Sequence, residues 1–271
     1  MDQFDGDFRK ETRGRPENDD FGQNLRRIGP GQAGSGRAGS GPIDLIVLAG
    51  GRGSRLGGAV KPAVEIAGRT LLSRVLDARV LARRVVVVGP EAARAAAGAD
   101  APGLLWALEN PPFGGPVAGI AAGLAALAGT GAEAGTADPA PEACSPEPAG
   151  WLLVLACDLP WAADAASALV AALAADPERT NALDGLHLSD PDGHAQWLAG
   201  IYRAGALREA AGRLGRAVNG ASMRDLLSGF TLAAILDASG SGRDVDTWQD
   251  VEWSTTLLTT PAPPPPRSET E

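Results

Sequence analysis

The run IDLIVLAG, from Ile43 to Gly50, leads directly into GRGSRLGGAVKP, which ends at Pro62. A short apolar run closed by a turn signal reads as a buried strand. The glycines at 50, 51, 53, 57 and 58 then interrupt any regular element and let backbone N–H groups approach a ligand closely. A strand that runs into such a loop points to folds in which parallel strands deliver loops to the carboxyl edge of a sheet. The loop also carries Arg52, Arg55 and Lys61, so the ligand it suits is anionic, a phosphate chain above all.

Two common phosphate loops do not fit. A Walker A loop needs Lys directly after the glycine that follows four residues beyond the first, but Gly53 leads to Gly58 and then Ala59. A dinucleotide fingerprint would take Gly51 and Gly53 and then place its third glycine one residue before Gly57. Its second strand should end in an acid that holds the ribose, and VVVVGP puts Gly89 there. What remains is a longer loop in which the backbone N–H groups of Gly50, Gly51, Gly53 and Ser54 wrap a triphosphate while Arg55 and Lys61 neutralise it.

Composition sharpens the role of Lys61. The chain has 24 Lys and Arg residues, yet the lysines are confined to Lys10, in a polar tail, and Lys61. A chain that uses arginine almost everywhere keeps a compact point charge beside its glycine loop, which suits a phosphate oxygen. The formal net charge of −9 argues against nucleic acid as a partner. No apolar run is long enough to span a bilayer, and a cytoplasmic protein without membrane partners is expected. Cys144 and Cys157, the only cysteines, cannot build a disulfide framework or a paired-cysteine zinc motif. Cys157 reads as a buried strand residue, and His187 and His194 as surface residues of a hairpin.

Apolar runs and helical patterns alternate along the chain. IDLIVLAG, RVVVVG, GLLWALEN and WLLVLACDLP are expected strands, the last ending in Asp158. TLLSRVLDAR, with Thr70 as N-cap, and GPVAGIAAGLAALAG, with Pro116 in its first turn, are expected helices, as is the Ala-rich stretch after Pro160. NALDGLHL and HAQWLAGIY form a hairpin around SDPDG. Short helices near Ala206–Leu214 and Ser222–Leu227, the strand FTLAAIL, and a last helix capped by Thr247 complete the pattern. This order predicts an α/β fold, a three-layer αβα sandwich on a mostly parallel sheet with a Rossmann-like nucleotide-binding half. Residues 43–260 form one domain, with a flexible insertion at 129–150 and disordered tails at 1–42 and 261–271.

In open α/β sheets ligands sit beyond the carboxyl ends of the strands. Asp158 stands at such an end and is placed to hold Mg²⁺, a hard ion that prefers oxygen ligands. The lesser alternative is an N-cap ahead of Pro160. Asp244 and Asp246, in DVD, can add a second carboxylate, or can simply precede the Thr-capped helix.

LAGGRGSRLGGAVKP, GPVAGI, LLVLACDLP, QWLAGIY and DVDT occur in the order found in molybdenum cofactor guanylyltransferases, and over residues 43–257 the sequence resembles that family. The resemblance implies an Mg²⁺-dependent transfer of GMP from GTP to molybdopterin, with pyrophosphate leaving. Molybdoenzymes or their chaperones are the implied protein partners. It sets Leu48, Ala49 and Gly50 against the nucleotide, Lys61 on phosphate, and Asp158 on the metal with Asp246 beside it. Glu109 lies near the place of a family acid that helps read the base. Members that use CTP tend to carry Ala-Ala-Gly where this chain has Ala49-Gly50-Gly51, and they lack the Gly-Pro start found here at Gly115-Pro116, which favours GTP. The long segment before Trp151 and the N-terminal tail depart from the family pattern, as does DVD, where some members carry asparagines. A related enzyme that uses CTP or a sugar or polyol phosphate acceptor, and a non-catalytic nucleotide-binding or cofactor-delivery protein, stay open on the residues alone.

Overall fold

The computed structural model describes residues 41–51, 56–98, 103–129 and 150–260. The tails at 1–42 and 261–271 and the insertion at 129–150 lie outside those residues except at their edges. The elements are β1 (Ile43–Leu48), β2 (Glu65–Ile66), β3 (Arg69–Thr70), α1 (Leu71–Val75), β4 (Arg84–Val88), α2 (Glu91–Ala96), β5 (Leu104–Ala107), α3 (Pro116–Leu127) and β6 (Trp151–Ala156). They continue with α4 (Ala162–Ala175), α5 (Pro177–Asn181), β7 (Gly185–Ser189), β8 (Ala195–Arg203), α6 (Ala204–Leu214), α7 (Met223–Leu226), β9 (Leu232–Leu236) and α8 (Trp248–Thr259).

Seven strands form one sheet in the order β5-β4-β1-β6-β8-β7-β9. Only β8 runs against its neighbours, so the sheet is mostly parallel, as the sequence predicts. β1 is buried at every position, as a central strand covered on both faces must be. Its alternate side chains feed two cores. Leu45 and Val47 pack with Leu72 and Val75 of α1, Ala93 of α2 and Leu169 of α4. Ile46 and Leu48 pack with Val117 and Ile120 of α3, Leu207 of α6 and Leu226 of α7. The small residues of α3 set its approach to the sheet. A Cβ on Gly119 would lie 2.9 Å from Cδ2 of Leu48, and one on Gly123 would lie 2.8 Å from Cδ1 of Ile46. A third, smaller core joins Leu56, Ile66 and Leu71 to Val245 and to Val251 of α8.

The chain leaves β1 for β4 and β5 and only then crosses to β6, on the other side of β1. Strand order therefore reverses between β1 and β6, and the crevice beyond their carboxyl ends is where such sheets take ligands. β6 ends at Ala156 rather than at Asp158. The N–H of Cys157 still reaches the Leu48 carbonyl at 3.0 Å, and the turn that follows carries Asp158 off the sheet into the crevice.

His187, expected on the surface, is 2 % exposed. β9 pairs along the second edge of β7, which makes β7 an interior strand instead of a free hairpin arm. The His187 ring lies against Trp197, with centroids 4.4 Å apart, and its Nδ1 pairs with the Leu188 carbonyl at 2.8 Å. Burial holds its pKa below the usual histidine range, against the smaller opposite effect of that hydrogen bond. His194 is exposed, as expected. Among the described residues no helix is long and apolar enough to cross a membrane.

Candidate active site

Lys61 opens a single 3₁₀ turn, Lys61–Ala63, with Pro62 inside it. Proline fixes φ there and needs no N–H partner. The turn aims the Lys61 side chain at two carboxylates from distant parts of the chain. Nζ donates to Oδ2 of Asp158 at 2.9 Å and to Oδ1 of Asp246 at 2.5 Å. Burial alone would lower the ammonium pKa. The charge of Asp158 and the hydrogen bonds to both carboxylates outweigh burial and hold it above its ordinary value.

The segment that brings Asp246 here is fixed from both sides. The Val245 N–H donates to the Asp158 carbonyl at 2.9 Å, and the Val245 side chain is buried in the small third core. Downstream, Thr247 and Asp250 form a capping box on α8, and Asp250 also accepts the Asp246 N–H at 3.2 Å. Upstream, the carboxylate of Asp237, 5 % exposed, organises the approach. Its Oδ1 accepts from Ser239 Oγ, Ser241 N and Ser241 Oγ, and its Oδ2 accepts from Gly242 N.

Asp244 stands close enough to matter electrostatically. Desolvation first, and then the negative charges of Asp158 and Asp246, raise its carboxyl pKa above the usual range. Asp158 and Asp246 thus share one ammonium, with Asp244 close enough to feel their charge. Hard oxygen donors around a point that already accommodates a cation fit a small divalent ion. Among the described residues, the potential metal ligands whose ligating atoms lie within 4.8 Å of one another are elsewhere: Asp190, Asp192 and His194, at the turn between β7 and β8, where Asp190 accepts from both His194 N and His194 Nδ1.

Beside the acidic cluster is a cavity of about 360 Å³. Leu48, Gly50, Gly51, Glu109, Gly115, Pro116 and Asp158, all expected site residues, line it. Ala49 does not. It is 1 % exposed in the core beneath, and its N–H goes to the Val88 carbonyl at 2.7 Å. Gly53, Ser54 and Arg55 lie outside the described residues. Gly115, at φ 90°, is the N-cap of α3, with Pro116 at its start. This end of the helix, which carries a partial positive charge, therefore opens on the cavity and favours an anion. Glu109 is 9 % exposed. Its Oε1 accepts the Phe113 N–H at 3.1 Å and would lie 3.7 Å from a Cβ on Gly50.

Cys157 is buried. Burial, then the charge of Asp158, pushes its thiol well above the usual range, so it is no nucleophile. Phe113 and Leu198 also line the cavity, and the sequence reading missed both. Phe113 carries a visible signal, a large apolar residue in the otherwise turn-like ENPPFGG. Asp237 carries no signal of its own, because its four hydrogen bonds become evident only once the loop is folded.

A family model for the MobA-like NTP transferase domain matches residues 45–233. No curated protein sequence matches the chain significantly. Several solved structures share the fold. Molybdopterin-guanine dinucleotide biosynthesis protein A from Archaeoglobus fulgidus is 17% identical, with a TM-score of 0.55 over 79% of this chain and 98% of that one. The 2-C-methyl-D-erythritol 4-phosphate cytidylyltransferase of Thermus thermophilus is 18% identical, with a TM-score of 0.51 over 79% of this chain and 98% of that one. Rv0371C of Mycobacterium tuberculosis, in a complex with manganese, is 19% identical, with a TM-score of 0.51 and the same shares.

Proposed function

We propose, on the premise that this chain belongs to the MobA-like NTP transferase domain family, that it transfers GMP from GTP to molybdenum-bound molybdopterin, giving the guanine dinucleotide cofactor and pyrophosphate. The observation that carries the reading is the Lys61 ammonium held between Asp158 and Asp246, beside a cavity at the strand-order reversal. Nucleotidyl transfer asks for a phosphate cradle, a carboxylate pair that takes a cation, and a mobile point charge. The Archaeoglobus neighbour, by its name, supports the pterin acceptor.

In this reading the backbone N–H groups of Gly50, Gly51, Gly53 and Ser54 cradle the triphosphate, and the start of α3 at Gly115 and Pro116 adds its partial positive charge. The Glu109 carboxylate faces the base. An acceptor-only group complements the adjacent N1–H and 2-amino donors of guanine, whereas cytosine sets its single donor, the 4-amino group, beside the N3 and O2 acceptors. Asp158 and Asp246 hold Mg²⁺, in keeping with the manganese complex of the mycobacterial neighbour. When bound, the ion draws charge from the phosphate oxygens. Lys61 leaves the carboxylates for the phosphates and, with Arg55, neutralises the departing pyrophosphate. An oxygen of the acceptor phosphate forms the new bond to the α-phosphorus as the bond to the β-phosphate oxygen breaks. That oxygen is already ionised at neutral pH, so no base is needed, and none of the cavity-lining residues that we have named is a histidine. Positioning and charge carry the catalysis.

We place the catalytic unit at residues 43–260 and the reaction in the cytoplasm, which suits the low cysteine count and the free, buried Cys157 thiol. Molybdoenzymes or their chaperones are the partners that would receive the product. The test is thermal unfolding with GTP, CTP and UTP in the presence of Mg²⁺. Ligand linkage makes the preferred nucleotide the most stabilising, and GTP is expected. A larger shift with CTP would replace this reading with a cytidylyltransferase.

A further inference from the structure

Phe113 is held in a conformation that its own chemistry disfavours. Its φ is 65°, in the left-handed region where a bulky side chain is a genuine outlier. Such residues persist only where their surroundings over-determine them, and they cluster at ligand clamps. Two neighbours impose the conformation here. The Phe113 N–H is taken by Oε1 of Glu109 at 3.1 Å. The next residue, Gly114, is wedged: a Cβ there would lie 2.5 Å from Oδ1 of Asn219 and 2.7 Å from Cβ of Ala118. The Gly114 carbonyl also accepts the Gly220 N–H at 2.8 Å. The result is a phenylalanine that lines the cavity with Gly50 and Glu109 and is nonetheless 57 % exposed.

More than half of the residue faces water. A flat apolar ring at the rim of a cavity whose inner wall carries the Glu109 carboxylate suits a ligand that is flat and rich in donors along one edge. We propose that Phe113 is the stacking platform for the nucleobase, a specificity-determining residue that favours purine over pyrimidine nucleotides. The inference rests on the nucleotide reading given above. Glu109 performs two tasks in it: one oxygen sets the Phe113 backbone, and the carboxylate faces the edge of the base. A purine covers more of the ring than a pyrimidine and so takes more apolar area out of water, and the carboxylate then selects among purines.

The test uses the full chain and isothermal titration calorimetry with GTP and Mg²⁺, with chemical denaturation alongside. Phe113→Gly relieves the left-handed backbone strain, so the fold is expected to be as stable as wild type or more so. GTP affinity is expected to fall about tenfold. Phe113→Trp is expected to keep affinity near that of wild type. In turnover assays the glycine variant raises KM for GTP and leaves kcat at saturation nearly unchanged, since the base contact is equal in ground and transition states. A glycine variant that binds GTP as tightly as wild type overturns the inference while the nucleotide reading stands. A tryptophan variant that loses as much affinity as the glycine variant, with its fold intact, also overturns it. A wild-type chain that binds no nucleoside triphosphate removes the nucleotide reading, and this inference with it.

Discussion

Replacing Lys61 with methionine keeps most of the side-chain volume and removes the charge. Two charge-assisted hydrogen bonds disappear, each of a class that contributes about 1.5–3 kcal/mol. The carboxylate oxygens of Asp158 and Asp246 that share Nζ then lose the ammonium between them. With both held near one nitrogen, their repulsion at an effective dielectric of about 20 is about 3 kcal/mol. Side-chain exposures of 19% for Asp158 and 35% for Asp246 allow water and salt to screen part of this. A net loss of about 2–4 kcal/mol is therefore expected in metal-free buffer. Added Mg²⁺ and added GTP should separate the two proteins in opposite directions. The variant has lost the ammonium that competes for the carboxylates, so Mg²⁺ should stabilise it more than it stabilises wild type. GTP should bind the variant more weakly, because the phosphate has lost its point charge. Urea denaturation in EDTA and in Mg²⁺, with nucleotide titration, measures all three quantities. A Lys61→Met variant as stable as wild type in EDTA, or equal Mg²⁺ stabilisation of the two proteins, would refute the reasoning.

Asp237→Asn replaces one acceptor oxygen with a donor in a loop where Gly242 N and Ser241 N both donate to Asp237. A loss of about 2–3 kcal/mol is expected from the unpaired N–H and the lost charge, read by urea denaturation, with Mg²⁺ affinity falling as well; an unchanged midpoint would count against the caged loop. His187 is buried with a lowered pKa, so the unfolded chain binds its proton more tightly than the folded one. Stability should be complete above the ordinary histidine pKa of about 6.5 and fall as pH drops from there toward the depressed native pKa; His187→Gln should flatten that part of the profile, and an identical slope would exclude this histidine as its source. Gly123→Val drives two methyl groups into Ile46, whose Cδ1 lies 2.8 Å from the Cβ position. Overpacking should cost about 1–3 kcal/mol, visible as a lower Tm, and an unchanged Tm would show that α3 shifts freely over β1.

The fold was largely legible because its main determinants are local. The all-apolar β1, the caps at Thr70 and Thr247, and Pro116 at the start of α3 each announce an element within a few residues. What was missed depends on partners far along the chain. His187 looked like a hairpin residue because nothing near it in sequence reveals that β9 covers the second edge of β7. α2 and the β2–β3 pair went unread because they are too short to show a period. For the site, the scarcity of lysine singled out Lys61, and its phosphate role was the natural reading. Its carboxylate partners lie 97 and 185 residues away, a pairing no spacing rule reports. The strained Phe113 backbone depends on the wedge of Gly114 between Asn219 and Ala118, which no local pattern announces.

The most direct measurement is product formation. Purified protein is incubated with molybdenum-bound molybdopterin, Mg²⁺ and either GTP or CTP, and the nucleotides are separated by chromatography while pyrophosphate is assayed. The expected result is a guanine dinucleotide with an equimolar amount of pyrophosphate from GTP, little product from CTP, and none from a folded Asp158→Ala variant. A cytosine dinucleotide in excess, or wild-type turnover by Asp158→Ala, would contradict it.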